Sequence, residues 1–133
     1  MRTVFLMLCA LTAGVSCAGI DRAWAQSAES GERVFAQCRA CHQVGEAARN
    51  LVGPQLNGIF GRKSGSVEGY SYTDANKNAN ITWDDATFRE YIIDPKGKVP
   101  GTKMAFAGVK NPQQVTDLIT YLKQFDATGK KAQ

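Results

Sequence analysis

The pentapeptide Cys38-Arg39-Ala40-Cys41-His42 constrains this chain more than any other stretch. Two thiols two residues apart, followed at once by an imidazole, form the attachment pattern of a c-type haem. The thiols reach the two vinyl groups on one porphyrin edge, and the imidazole binds iron from one face. A chain that holds such a group must fold around something flat, large and covalently fixed. Because the group does not dissociate, the chain can travel between partners with it. The expected trade is single electrons.

Two other chemistries use similar spacing. A thioredoxin-like redox pair wants a strand before it and a helix opening after it, whereas this pair lies at the end of a helical run. Structural zinc wants four Cys or His ligands. Beyond residue 25 the chain offers only Cys38, Cys41 and His42, and His42 is the only histidine in the sequence.

The remaining cysteines, Cys9 and Cys17, fall in a segment that reads as a secretory signal peptide over residues 1–25. Met1-Arg2 supplies a positive start, Val4 to Val15 is apolar apart from Thr12 and Gly14, and Ala23-Trp24-Ala25 is a small-x-small cleavage site. A membrane anchor is the bland alternative, but the run is shorter than the roughly 20 residues a spanning helix needs. A lipoprotein signal at Cys17 is discounted because Gly14 stands where a large aliphatic residue is wanted. Cleavage before Gln26 leaves one domain, residues 26–133, in the periplasm. The whole chain carries a formal charge of +4, and the cut removes Arg2, Asp21 and Arg22. Net charge therefore says little, and the placement of the lysines says more.

The coarse reading is all-α with long shaped loops. A first helix is expected over about Ser30 to Cys41, with Val34, Phe35 and Cys38 on one face. Gln43 to Gly69 is glycine-rich loop, read as backbone passing closely around a flat group. A short helix capped by Thr73 covers Asp74 to Asn78. A further helix opens with Thr82 and Asp85 resembling a capping box, buries Phe88, Tyr91 and Ile92, and stops near Asp94 because Pro95 follows. Lys96 to Gly108 reads as a second loop. The last helix is capped by Asn111, has Pro112 in its first turn and Gln114 at the third position of a capping box. Its apolar stripe is Val115, Leu118, Ile119, Leu122 and Phe125, and Gly129 offers a stop. The terminal helices must pack together, because neither stripe can stay exposed.

His42 supplies one axial ligand, and its other ring nitrogen needs an acceptor to fix the tautomer. A backbone carbonyl of the Gly53-Pro54 loop is a candidate. The expected mature chain has one methionine, Met104, in a loop bounded by Pro100, Gly101 and Gly108. Lysines are charged at neutral pH, which costs affinity for iron, so Met104 is the second-ligand candidate. A thioether opposite histidine raises the reduction potential of the iron.

At this point the sequence resembles the soluble class I cytochromes c, the mitochondrial cytochrome c and bacterial cytochrome c2 group. The likeness runs through Gly31-Glu32-Arg33-Val34-Phe35, the Cys38–His42 motif, Gly53-Pro54-Gln55-Leu56-Asn57-Gly58 and Phe60-Gly61-Arg62-Lys63. It continues through Gly69 to Asn76, Trp83, Tyr91, Asp94-Pro95-Lys96, Pro100 to Met104 and Leu118 to Lys123. The resemblance implies a class I cytochrome c fold with one covalently bound haem c. It implies thioethers at Cys38 and Cys41, iron ligation by His42 and Met104, and the Pro54 carbonyl as acceptor for His42. Arg62, Tyr72 and Trp83 would lie near the propionates. Tyr91 would hydrogen-bond toward the Met104 sulfur, with Asn76 and Thr102 in the same polar network. Phe106 would flank the exposed haem edge. Gly31, Phe35, Leu118 and Tyr121 would form the contact between first and last helices. The approach from Phe35 to Cys38 is one residue shorter than in the mitochondrial branch, which favours the bacterial one.

The expected function is a monomeric electron carrier, not an enzyme. It would dock transiently through Lys63, Lys96, Lys98, Lys103 and Lys110, a thinner basic face than many family members have. Implied partners are a donor such as a cytochrome bc1 complex and an acceptor such as a terminal oxidase or a photosynthetic reaction centre. No nucleic acid is expected. A peroxidase-like enzyme would need an open iron position and a spare histidine. A gas sensor would need a ligand that displaces Met104.

Overall fold

The computed structural model describes residues 18–132, with side chains from Ser27 onward. Most of the expected signal peptide, residues 1–17, lies outside the described residues. Among the described residues five α-helices follow in order: α1 (Ala18–Phe35), α2 (Asp74–Lys77), α3 (Asp85–Ile93), α4 (Pro95–Lys98) and α5 (Pro112–Leu122). Among the described residues there is no extended strand, only two isolated bridges, Lys63 with Thr82 and Phe125 with Lys131. No helix among them is long and apolar enough to cross a membrane.

The core is built where α1 crosses α5. Gly31 makes the crossing close: a Cβ there would stand 2.0 Å from the Asp117 carbonyl oxygen and 2.6 Å from the Tyr121 Cβ. Two helix backbones can approach this far only where one lacks a side chain. The Phe35 and Tyr121 rings then meet with centroids 5.4 Å apart, and Val115, Leu118 and Leu122 are almost fully buried. Burying a side chain of this kind contributes about 1.5–3 kcal/mol each, so the crossing fixes the two chain ends together. Ser27 adds a polar tie at its edge, donating to Asp117 at 2.8 Å.

Several expected boundaries move. α1 begins at Ala18, well before Ser30, and its regular helix ends at Phe35, not at Cys41. A 3-10 turn, Ala36–Cys38, follows. The chain then tightens further, with the amides of both Cys41 and His42 bonded to the Cys38 carbonyl, at 3.0 and 2.9 Å. The expected Thr82/Asp85 box is replaced by one two residues along: Asp84 accepts from the Thr87 amide at 2.7 Å, and the Asp84 amide donates to the Thr87 hydroxyl at 2.9 Å. Thr82 is engaged elsewhere, in its bridge to Lys63.

Asp94 ends α3 and also caps α4, accepting from the Gly97 amide at 3.1 Å, so one turn of helix interrupts the expected loop from Lys96. α5 starts as expected, with Asn111 accepting from the amides of Gln113 and Gln114 at 2.9 and 3.1 Å. Among the described residues no side-chain bond returns from Gln114, so only half of that box forms. α5 ends at Leu122, not at Gly129. Phe125 lies beyond it, buried by a return of the chain that pairs it with Lys131. Lys131, which the sequence alone would place in a terminal tail, is instead bridged to Phe125, and its ammonium stands 5.5 Å over the Phe125 ring.

Candidate haem site

The loops and the inner faces of α3 and α5 enclose a cavity of about 240 Å³, largely apolar. A single water needs only about 10–15 Å³ of such space, and interiors are otherwise close-packed. All twelve residues singled out from the sequence line this cavity.

Cys38 and Cys41 are free thiols on its wall, brought there by the tightened turn after α1. Burial pushes the Cys38 thiol up to about 11, and the neighbouring Cys41 adds to this. Redox-active pairs of this spacing have lowered thiol pKa values, so the electrostatics run against a disulfide-exchange site. Among the described residues no three His, Cys, Asp or Glu side chains gather as they would around a metal ion.

His42 is held from behind. The Gly53 amide bonds the Cys41 carbonyl at 2.8 Å, and the Leu56 amide bonds the Gln43 carbonyl at 2.9 Å. These two bonds lay the 53–56 loop alongside the 41–43 segment. The Pro54 carbonyl then accepts from His42 Nδ1 at 2.7 Å, which assigns the proton to Nδ1 and leaves the Nε2 lone pair free. Burial lowers the His42 pKa, the Pro54 bond opposes this, and Arg62 lowers it further. The imidazole is therefore neutral at neutral pH, the form that ligates metal. The ring also presses on Gly53: a Cβ there would be 2.3 Å from His42 Cε1. Sequence reasoning named Gly53 as loop composition and missed this contact, for which glycine before the proline is the only trace.

Met104 lies in the loop between α4 and α5. That loop is pinned at its ends by Thr102 to Val99, 3.0 Å, and Val109 to Ile92, 2.8 Å. Tyr91, on the buried face of α3, donates its hydroxyl to Met104 Sδ at 3.2 Å. Burial raises the Tyr91 phenol above its ordinary value, opposed by hydrogen bonding with the Thr102 and Asn76 side chains. The three polar groups meet on one wall of the cavity. Phe106, half-buried, packs against the core two residues beyond Met104.

Arg62 and Trp83 reach the cavity from adjacent segments. Gly61 bonds Trp83 at 2.7 Å and Trp83 bonds Arg62 at 2.9 Å through their backbones. The Arg62 guanidinium donates to the carbonyls of Asn57 at 2.8 Å and Gln55 at 3.1 Å. Five donors make up that fork, so anionic groups could still be bound. Burial lowers the Arg62 pKa and raises that of Tyr72. Trp83 is buried, with its ring centroid 5.0 Å from that of Tyr91.

The donor set fits a covalently attached haem. Two thiols, a neutral imidazole with a free nitrogen, a thioether and a partly buried guanidinium converge on one apolar cavity. This arrangement on an all-α frame defines a class of protein: a carrier of electrons whose cofactor is bound to the chain.

The comparisons agree. The family model described as Cytochrome c matches residues 28–126. Cytochrome c2 of Blastochloris viridis is 61% identical over 117 residues, covering 88% of this chain and 92% of that one. Cytochrome c-550 of Bradyrhizobium diazoefficiens is 60% identical over 103 residues, covering 77% and 76%. Among solved structures, cytochrome cH from Methylobacterium extorquens matches with a TM-score of 0.69 and 47% identity, covering 73% of this chain and 97% of that one. The chain belongs to the cytochrome c family. It is an electron-transfer protein, not an enzyme, and carries one haem c bound through the Cys38–His42 motif.

Proposed function

We propose that this protein is a diffusible periplasmic carrier with His42 and Met104 as the two axial iron ligands. Haem c, when bound, supplies a one-electron couple. His42 and Met104 are each held by a separate hydrogen bond on the wall of the cavity that also carries both thiols, and this observation carries the reading. Pro54 orients the imidazole, Tyr91 orients the thioether, and Arg62 offers donors for the propionates. Trp83, Tyr72, Phe106 and the α3 face exclude water. With both ligands retained, little needs to move when the electron is exchanged.

Residues 1–25 are proposed as the export signal. Protein recovered from the periplasm should have the mass of Gln26–Gln133 plus one haem after denaturation. A haem-free mass would sink the attachment reading, and a different start would sink the cleavage site alone.

The partners are proposed to be a membrane donor such as a cytochrome bc1 complex and an acceptor such as a terminal oxidase or a photosynthetic reaction centre. Docking is electrostatic and transient, and no oligomer is required. Of the lysines expected at the docking face, Lys98 is paired with Glu90 and Lys110 bonds the Ile93 carbonyl at 2.5 Å. Lys63 and Lys96 have no such partner among the described residues. Lys96→Glu should therefore slow second-order electron transfer at low salt by roughly three- to tenfold, with the loss shrinking as salt rises. Lys131→Glu should change the rate little. Stopped-flow rates across a salt series decide it: equal effects at the two positions, or none from salt, would remove the docking face.

A further inference from the structure

Beyond α5 the chain turns back on itself. Residues 124–132 form a closed return, with the Ala132 amide donating to the Gln124 carbonyl at 2.8 Å and the Asp126 amide to the Lys130 carbonyl at 3.0 Å. One carboxylate oxygen organises the turn between. Asp126 Oδ1 accepts from the Thr128 amide at 2.8 Å, the Thr128 hydroxyl at 2.7 Å and the Lys130 amide at 3.0 Å. These bonds, that from the Thr128 hydroxyl first, hold the Asp126 carboxyl below its ordinary pKa, so the acceptor is charged at neutral pH. Phe125 roots the return in the core, with its ring centroid 5.3 Å from that of Tyr121.

The return lies against the segment that orients His42. The Gly58 amide donates to the Phe125 carbonyl at 3.1 Å. Gly129 is buried with a φ of +83°, and a Cβ there would stand 2.2 Å from the Gly45 carbonyl oxygen and 2.7 Å from Asn57 Nδ2. It sits directly on a reciprocal pair: Asn57 Oδ1 accepts from the Gly45 amide at 2.8 Å, and Asn57 Nδ2 donates to the Gly45 carbonyl at 3.0 Å. That pair closes the 45–57 segment, which carries Pro54 and is neither helix nor strand. A segment of this kind opens locally at low cost unless something covers it.

We propose that Asp126 is a positioning residue. It fastens residues 124–132 as a strap over the 45–58 segment, and the strap keeps the Pro54 carbonyl against the His42 ring. The inference rests on His42 being an axial ligand. Without the strap, the segment should open more often, and the bond from His42 Nδ1 to Pro54 should break with it. Hydrogen bonds to a charged acceptor can change an opening equilibrium by about tenfold, and the exposure of Asp126 reduces this to about fivefold.

The test follows hydrogen exchange by NMR in the ferrous, haem-loaded protein at the Gly45 and Gly58 amides and at His42 Nδ1. Wild type is compared with Asp126→Ala, Asp126→Asn, Gly129→Ala and Ser27→Ala. Asp126→Ala should speed exchange at all three positions about fivefold or more. Asp126→Asn keeps the Oδ1 acceptor without its charge and should fall between Ala and wild type. Gly129→Ala pushes the return off Gly45 and should act as Asp126→Ala does. Ser27→Ala removes the bond to Asp117 at the far edge of the α1–α5 crossing, so it should leave the three positions within twofold of wild type. Unchanged exchange in Asp126→Ala would overturn the strap, as would faster amide exchange with His42 Nδ1 unchanged. Equal acceleration by Ser27→Ala would show that the segment opens only with the whole molecule, and would overturn it too. If the strap variants do not fold, wild type decides. Exchange at the Gly45 amide no faster than at the Gly129 amide supports the strap, and faster exchange shows the segment opening beneath a closed strap and overturns it. The ring protons of an iron-bound imidazole are displaced far upfield by the haem ring current. If wild type lacks such signals the His42 ligand reading fails, and exchange at the three positions decides the strap alone.

Discussion

Met104→Ala should leave the haem attached and open the sixth coordination position at iron. The thioethers at Cys38 and Cys41 do not involve Met104, so the covalent mass is unchanged. The Tyr91 hydroxyl loses its acceptor at 3.2 Å but keeps the Thr102 and Asn76 side chains nearby. Carbon monoxide should then bind the ferrous variant without having to displace a protein ligand. The reduction potential should fall by on the order of 0.1–0.3 V, within the roughly 0.8 V span that axial ligands set. Each ~59 mV of that fall is a tenfold change in a one-electron equilibrium, so the variant would cease to accept electrons from a high-potential donor. Stability should drop by about 1–3 kcal/mol, less than for a fully buried methionine, because Met104 is only half-buried. Redox titration and carbon monoxide difference spectra are the measurements. Identical potentials in the variant and the wild type would show that another group ligates iron.

Gly53→Ala tests the other face of the site. The new Cβ would lie 2.3 Å from His42 Cε1 and 2.7 Å from both ring nitrogens. The ring cannot simply withdraw, because Nδ1 is bonded to Pro54 at 2.7 Å, and its motif neighbour Cys41 is bonded to Gly53 itself. Overpacking of this kind typically costs about 1–3 kcal/mol, which corresponds to a fall in Tm of roughly 5–15 °C. Rotating the imidazole to relieve the clash should also change the potential and the ferric spectrum.

Gly45→Ala serves as the control. A Cβ at Gly45 meets nothing within 4 Å, and its φ of +110° brings backbone strain alone. That variant should lose stability without a shift in potential. Wild-type spectra, potential and Tm in Gly53→Ala would mean that the packing of His42 on this loop has no part in ligation.

The features legible in the sequence were local or chemically exclusive. The Cys38–His42 motif carries its own chemistry, since no other histidine exists to compete for iron. Thr73 and Asn111 cap their helices because a side-chain oxygen needs only the amides two or three residues ahead. The apolar stripe of α5 follows from helical period alone, although its end does not: Phe125 leaves the helix because the chain returns to bury it.

Non-local contacts decided the rest. Asp84 takes the cap of α3 because Thr82 is bridged to Lys63, nineteen residues earlier. Gly31 and Gly53 look alike on the page, as do Lys96 and Lys103. What separates them is which atoms of distant segments approach within contact distance: α5 against Gly31, the His42 ring against Gly53, and Ser71 and Tyr70 against Lys103. Chemistry that resides in a residue type and its near neighbours was determined by the sequence. The pairing of segments was decided by the tertiary structure, because burial and hydrogen bonding act between atoms close in space and not along the chain.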